Sequence, residues 1–135
     1  MECIFCKIVA GEIPSYKIYE DEYNLAFLDI RPVNPGHTLI IPKSHFLNLE
    51  DISEENLCSL VKACKVVGQK IITGLDVTGY NLTENNNSVA GQIIPHIHFH
   101  LIPRQAGDGH KLWAQREYQE GEAEEVRQKI LKSSQ

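Results

Sequence analysis

Three of the chain's six histidines stand at alternate positions in Pro95-His96-Ile97-His98-Phe99-His100-Leu101-Ile102-Pro103. Successive side chains of a β-strand face opposite sides, so a strand here lines up His96, His98 and His100 and sends Ile97, Phe99 and Leu101 into the core. Rings repeating every ~6.5 Å gain nothing from one another on a merely solvated face and repel once protonated, so the row points to a site. Two chemistries suit it. His-x-His can present two imidazoles to one metal ion. Alternatively, one neutral imidazole attacks a phosphorus centre while its neighbours stabilise the developing charge or hand a proton to the leaving group. A ring near its ordinary pKa does this at neutral pH. The other constellation is Cys3-x-x-Cys6, whose spacing by itself suits a metal pair, a redox pair or two unrelated buried thiols. Cys58 and Cys64 read as plain core or surface thiols.

Several elements must hold these groups in place. Strands are expected at Lys17–Glu20, Leu25–Asp29, Thr38–Ile41, Tyr80–Glu84 and Ile97–Ile102, with Asp21-Glu22 as a hairpin tip. A long helix is expected from Glu54 to about Thr73. Ser53 is placed to cap it, Glu54 and Glu55 suit its positive end, and Gly74 is expected to stop it. Leu57, Leu60, Val61, Cys64, Val67, Ile71 and Ile72 recur at helical spacing, so one side packs on the sheet. Cys3 to Ala10 reads as a short helical turn, Asn85 to Gln92 as a polar loop, and a charged helix begins near Glu122. Trp113 is expected to pack within the tail. Strands, one long helix, then strands again describe an α+β fold. Its antiparallel sheet of about five strands has the helix on one face and leaves the other face for chemistry.

The 135 residues suit one domain over 1–135, with a core at about 3–104 and a C-terminal extension at 105–135. Hydrophobic residues at 42% and charged residues at 23% are ordinary globular usage. Thirteen basic against eighteen acidic residues give a net charge of −5, which argues against nucleic acid or an anionic membrane as partner. No apolar run is long enough to span a bilayer, and Met1 to Lys7 lacks the layout of a signal peptide, so a cytoplasmic protein is expected. The sequons at Asn81 and Asn86 are then chance, and the four cysteines are expected to be thiols or metal ligands.

His96-Ile-His-Phe-His100-Leu-Ile resembles the His-φ-His-φ-His-φ-φ signature, φ being hydrophobic, of the histidine triad (HIT) nucleotide-binding proteins. The likeness extends, in order, through Cys3-Ile-Phe-Cys6-Lys-Ile-Val-Ala-Gly-Glu-Ile-Pro14, Phe27-Leu-Asp29-Ile30, Gly36-His37-Thr-Leu-Ile-Ile-Pro42-Lys43 and the Asn85–Gln92 loop. It is closest to the zinc-containing, Hint-like type of bacteria and archaea.

The resemblance implies a hydrolase or transferase that cleaves nucleoside 5′-phosphate conjugates at the α-phosphate through a covalent nucleotidyl-histidine. His98 would be the nucleophile, His100 would contact phosphate or leaving group, His96 would support them, and His37 would be the buttressing fourth histidine. Asp29 would read the ribose hydroxyls, while Ile8, Phe27 and Ile30 would wall in a purine. Asn85, Gly91 and Gln92 would form the phosphate loop, and Ile93 stands where many relatives carry a Ser or Thr hydroxyl. Cys3, Cys6, His45 and His96 would hold a structural zinc, with no catalytic metal required, and the family habit is a homodimer. The substrate class is adenosine phosphoramidates or dinucleoside polyphosphates. Two other readings stay open: a non-catalytic nucleotide-binding module acting through partner proteins, and a metal-dependent enzyme with all three triad histidines on one ion.

Overall fold

The structure, a computed structural model, describes residues 2–133; residues 1, 134 and 135 of the expected domain lie outside the described residues. Its elements are α1 (Ile4–Val9), β1 (Lys17–Glu20), β2 (Asn24–Leu28), β3 (Thr38–Pro42), α2 (Glu54–Leu75), β4 (Gly79–Glu84), a 3₁₀ turn at Ser88–Ala90, β5 (Phe99–Arg104) and α3 (Glu122–Ser133). The five strands form one antiparallel sheet in the order β1-β2-β3-β5-β4. This is the α+β architecture expected of the sequence.

Period-two alternation divides the core between the two faces of the sheet. Ala26, Ile40 and Leu101 meet Leu60, Ala63, Cys64, Val67 and Ile71 of α2 on one side. Leu25, Phe27, Leu39 and Ile41 meet Cys3 and Phe5 of α1 and its cap on the other. Strands β2 and β3, covered on both faces, are accordingly near-continuous apolar runs. The short α1 covers only part of its face, and the remainder is a cavity.

Four expectations are corrected. Helix α2 continues through Gly74 to Leu75 and stops at Asp76, whose backbone turns left-handed at φ 53°, ψ 45°. Glycine permits a helix end but does not compel one. Val61 and Ile72 are exposed, and Ala63 and Gly68 complete the buried stripe instead, because the side facing the sheet follows 60, 63, 64, 67, 68 and 71. β5 starts at Phe99, not Ile97. Opposite that approach β3 ends in Pro42, which has no N–H, and the Ile97 N–H goes to the Phe46 carbonyl at 2.7 Å. Trp113 is 89% exposed and so is not packed by the tail. Cys58 is exposed, and burial pushes the Cys64 thiol up to about 12, making it a core filler. No helix among the described residues is long and apolar enough to cross a membrane.

Gly36 initiates β3 at φ +94°, where a side chain is strained, and a Cβ there would strike the Leu75 side chain and lie 3.1 Å from Pro103 Cγ. Gly36→Ala is expected to lower stability by about 2–4 kcal/mol, from backbone strain plus overpacking. Urea denaturation checks this; a loss below about 0.5 kcal/mol would show that the turn relaxes freely.

Candidate active site and metal centre

A neutral imidazole has one donor and one acceptor nitrogen, so a bond made at one nitrogen decides what the other can do. His96 is fully buried, and burial pushes its pKa down to about 4, which keeps the ring neutral. Its Nε2–H donates to the Pro42 carbonyl at 2.9 Å. The bare Nδ1 then lies 3.5 Å from Cys3 Sγ and 3.7 Å from Cys6 Sγ, and His45 Nδ1 lies 3.3 Å from Cys6 Sγ. The four ligand atoms all fall within 4.8 Å of one another. Tetrahedral ligands at 2.0–2.3 Å from zinc stand ~3.3–3.8 Å apart, so these donor separations fit a four-coordinate ion. A carbonyl on the far nitrogen is the usual outer support of a metal-binding histidine. Local sequence builds the cluster: Cys3 is the N-cap of α1 and accepts from the Cys6 N–H at 3.4 Å, which brings both thiols to one helix end.

The open part of that face is a cavity of about 430 Å³ lined by Ile8, Phe27, Asp29, Ile30, Gly91, Ile93, His98 and His100, among others. His98 is buried, and its Nδ1–H donates to the His96 carbonyl at 2.8 Å. Nε2 is therefore left with a free lone pair. A second chain of bonds defines His100. The Val33 N–H donates to His37 Nδ1 at 3.0 Å, so His37 carries its proton on Nε2 and donates to His100 Nδ1 at 2.9 Å. His100 must then hold its own proton on Nε2. Burial is the leading cause that lowers the pKa of His37, His98 and His100, the last to about 4, with the Asp29 carboxylate opposing it in each. At neutral pH the cavity thus holds an uncharged ring with a free lone pair beside an uncharged hydrogen-bond donor. Asp29 Oδ1 accepts from the Arg31 N–H at 2.9 Å, and Oδ2 lies 3.7 Å from His37 Nε2.

The structure brings together His98, His100, Asp29, Ile8, Phe27, Ile30 and Gly91 around the cavity, with His37 buried behind His100. Ile30 is 82% exposed and sits at the rim as much as in the wall. The other two residues of the expected phosphate loop flank Gly91 without lining the cavity themselves. Gln92 is buried, accepting from the Asn87 N–H at 2.7 Å and donating to the Leu47 and Ile94 carbonyls, so it organises the loop from within. Asn85 stands next to Gly91, its Nδ2 lying 3.5 Å from where a Gly91 Cβ would stand. Gly91 itself lines the cavity at φ +96°, and Ile93 beside it is 87% exposed.

His96 faces the thiols while His98 and His100 face the cavity, so the three triad rings do not converge on one ion. Asp29, His37 and His100 also lie close enough to share a metal, but the His37 nitrogen turned toward them carries the proton that Val33 forces onto it. Phe5 was not evident from sequence. It projects from α1 between the two clusters and meets His96, His98 and Phe27 edge-on at centroid distances of 5.8, 5.2 and 5.6 Å. Its place between Cys3 and Cys6 was the available signal. Val33, an ordinary apolar residue acting through its backbone, left no signal at all.

The HIT domain family matches residues 10–107. An adenosine 5′-monophosphoramidase of Saccharomyces cerevisiae is 45% identical over 103 residues, which cover 76% of this chain and 63% of that protein. Among solved structures, a HIT-family protein of Bacillus subtilis superposes with a TM-score of 0.90 at 37% identity, covering 100% of this chain and 99% of that one. A zinc-bound histidine triad family protein of Mycobacterium smegmatis gives a TM-score of 0.77, also at 37% identity and over 100% and 99% of the two chains. With its paired imidazole bonds, its cavity and these likenesses in accord, the chain belongs to the HIT domain family.

Proposed function

We propose that this HIT-family enzyme hydrolyses nucleoside 5′-phosphate conjugates at the α-phosphorus through a covalent nucleotidyl-His98 intermediate. The observation that carries the reading is the His98 Nδ1–H bond to the His96 carbonyl, which aims an unprotonated Nε2 into a cavity that also holds His100 and Asp29. Nε2 donates its lone pair to phosphorus as the bond to the conjugated group breaks, and the bonding pair departs with that group. His98 keeps Nδ1–H throughout, and the His96 carbonyl stabilises the positive ring that forms. His100 Nε2–H hydrogen-bonds the leaving atom or a phosphoryl oxygen where charge builds up. Water then attacks phosphorus and releases His98; its hydroxyl stays on phosphorus and its proton balances the departed group. Asp29 receives the ribose hydroxyls, and Phe27, Ile8 and Ile30 take the base. Gly91 supplies close backbone approach to phosphate with Asn85 beside it, and Gln92 holds that loop in shape.

The name of the yeast relative supports adenosine phosphoramidates as the substrate class. Outward-facing Val61, Val66, Ile72 and Leu75 on α2 support a homodimer, and the free cysteines suit a cytoplasmic setting. The deciding comparison is the rate on adenosine phosphoramidate against a diadenosine polyphosphate. His98→Ala is expected to lower kcat about 10⁴-fold or more while AMP still binds. Turnover surviving that change would refute the covalent route. No turnover by the unmutated chain would favour a binding module.

The second element of the reading is a structural zinc on Cys3, Cys6, His45 and His96, supported by the donor separations and by the bare His96 Nδ1. Once bound, the ion would supply a cross-link between α1, the segment after β3 and the approach to β5, holding His96 and therefore the carbonyl that orients His98. One zinc per chain is expected by elemental analysis. Removal with a strong chelator, or Cys6→Ser, should lower the thermal midpoint by roughly 10 °C. An unchanged midpoint in a metal-free sample would overturn this assignment.

A further inference from the structure

The Val33 N–H that decides the tautomer of His37 sits in an irregular loop, and something must hold it there. Five bonds close a ring around that loop. Asp108 Oδ2 accepts from Asn34 Nδ2 at 3.1 Å, and the Asn34 carbonyl accepts from the His37 N–H at 3.0 Å. His37 Nδ1 accepts from the Val33 N–H, the Val33 carbonyl accepts from His110 Nε2–H at 3.1 Å, and the His110 N–H returns to Asp108 Oδ1 at 3.1 Å. Arg104 braces the ring with two bonds to Asp108, at 2.7 and 2.9 Å, and one to the His110 carbonyl at 2.9 Å. Asn34 Nδ2 also donates to the Pro103 carbonyl at 2.9 Å, which ties the loop to β5. Gly107 and Gly109, both at positive φ, let the chain turn tightly on either side of Asp108. The Asp108 side chain is only 11% exposed, so its bonds to Asn34 and Arg104 are sheltered, while the two ring bonds made by His110 lie at the surface. Asp108 and His110 lie beyond residue 107, where the family match ends, in the segment read from sequence as a mere extension.

We infer that Asp108 and His110 are positioning residues that set the tautomer of His37, and through it the hydrogen that His100 presents to the substrate. Hydrogen-bond parity couples the two rings. With Val33 N–H held on Nδ1, His37 must donate from Nε2, His100 must accept at Nδ1, and His100 Nε2 must carry a proton. If the loop is released, Nδ1 of His37 can take the proton instead. His37 Nε2 then accepts from His100 Nδ1, and His100 offers a lone pair where the reaction needs a donor. A donor to the leaving atom matters most when that atom is a poor leaving group and carries the most charge.

The catalytic half of this inference rests on the hydrolase reading above; the tautomer half does not. The full chain is compared with Asp108→Ala, with the milder His110→Ala, and with His110→Gln, which keeps an N–H donor. Substrates are nucleoside 5′-phosphate conjugates of one nucleoside with graded leaving groups. Asp108→Ala is expected to lower kcat about tenfold or more for the poorest leaving groups and less than about twofold for the best, with KM little changed. His110→Ala should show the same slope in weaker form, and His110→Gln should restore it. In side-chain nitrogen NMR, His37 should be protonated on Nε2 in the unmutated chain, and an Nδ1-protonated form should appear in Asp108→Ala. An equal fall on every substrate, or no fall, with His37 unchanged in the spectrum, would overturn the inference and leave the hydrolase reading intact. If the unmutated chain turns over nothing, the hydrolase reading fails and the His37 spectrum alone decides the positioning role. If Asp108→Ala does not fold, the two His110 variants carry the same test.

Discussion

Each buried imidazole in this protein has one lone pair and one proton, and a backbone group takes one of them. His96 gives its proton to the Pro42 carbonyl, His98 gives its proton to the His96 carbonyl, and His37 receives the Val33 N–H. Burial removes the option of carrying both protons, since a charged ring is poorly solvated there. What remains at the front of each ring is then dictated from behind: a lone pair toward two thiols, a lone pair toward the cavity, and a proton toward His100. Three rings of identical chemistry are thereby assigned three tasks without any difference in side-chain type.

The sheet makes this division possible because the triad is not wholly inside it. Regular pairing between β3 and β5 covers only Thr38–Ile40 and Phe99–Leu101. Ahead of it, Pro42 cannot donate and its carbonyl is free to accept from a ring, while the carbonyl of His96 is free for His98. Had the strand continued through His96, ladder bonds would have competed for the same backbone groups. The departure from the expected strand is therefore what supplies the partners of two rings.

The opposite face has a different burden. Helix α2 buries an unbroken stripe against the sheet and carries the bulk of the core, whereas α1 is only six residues long and gains little from its own turns. Phe5 gives α1 an anchor against Phe27 and against the rings of His96 and His98, so one side chain borders both the cavity and the Cys/His cluster. A perturbation of the thiol cluster should therefore be felt at the cavity through Phe5 and the His96 carbonyl.

Much of this was legible in the chain. Alternation in His96–Leu101, helical spacing from Leu60 to Ile71 and the Ser53 cap are local signals, and they located the five strands, the long helix and the histidines that meet. The pairing of Cys3 and Cys6 with His45 and His96 followed from family likeness and matches a cluster built from three separate segments. The inward turn of the Gln92 side chain was not legible, because an amide serves a ligand or a loop equally well and only the loop's own fold shows which. The end of α2 at Asp76 and the exposure of Val61 were settled by which side of the helix met the sheet. By itself the sequence determined which side chains could do chemistry, since residue type and spacing are properties of the chain. Only the tertiary structure decided which nitrogen of each ring is free to act, because that depends on the carbonyls and amides of Pro42, His96 and Val33, and backbone groups look the same at every position of a sequence.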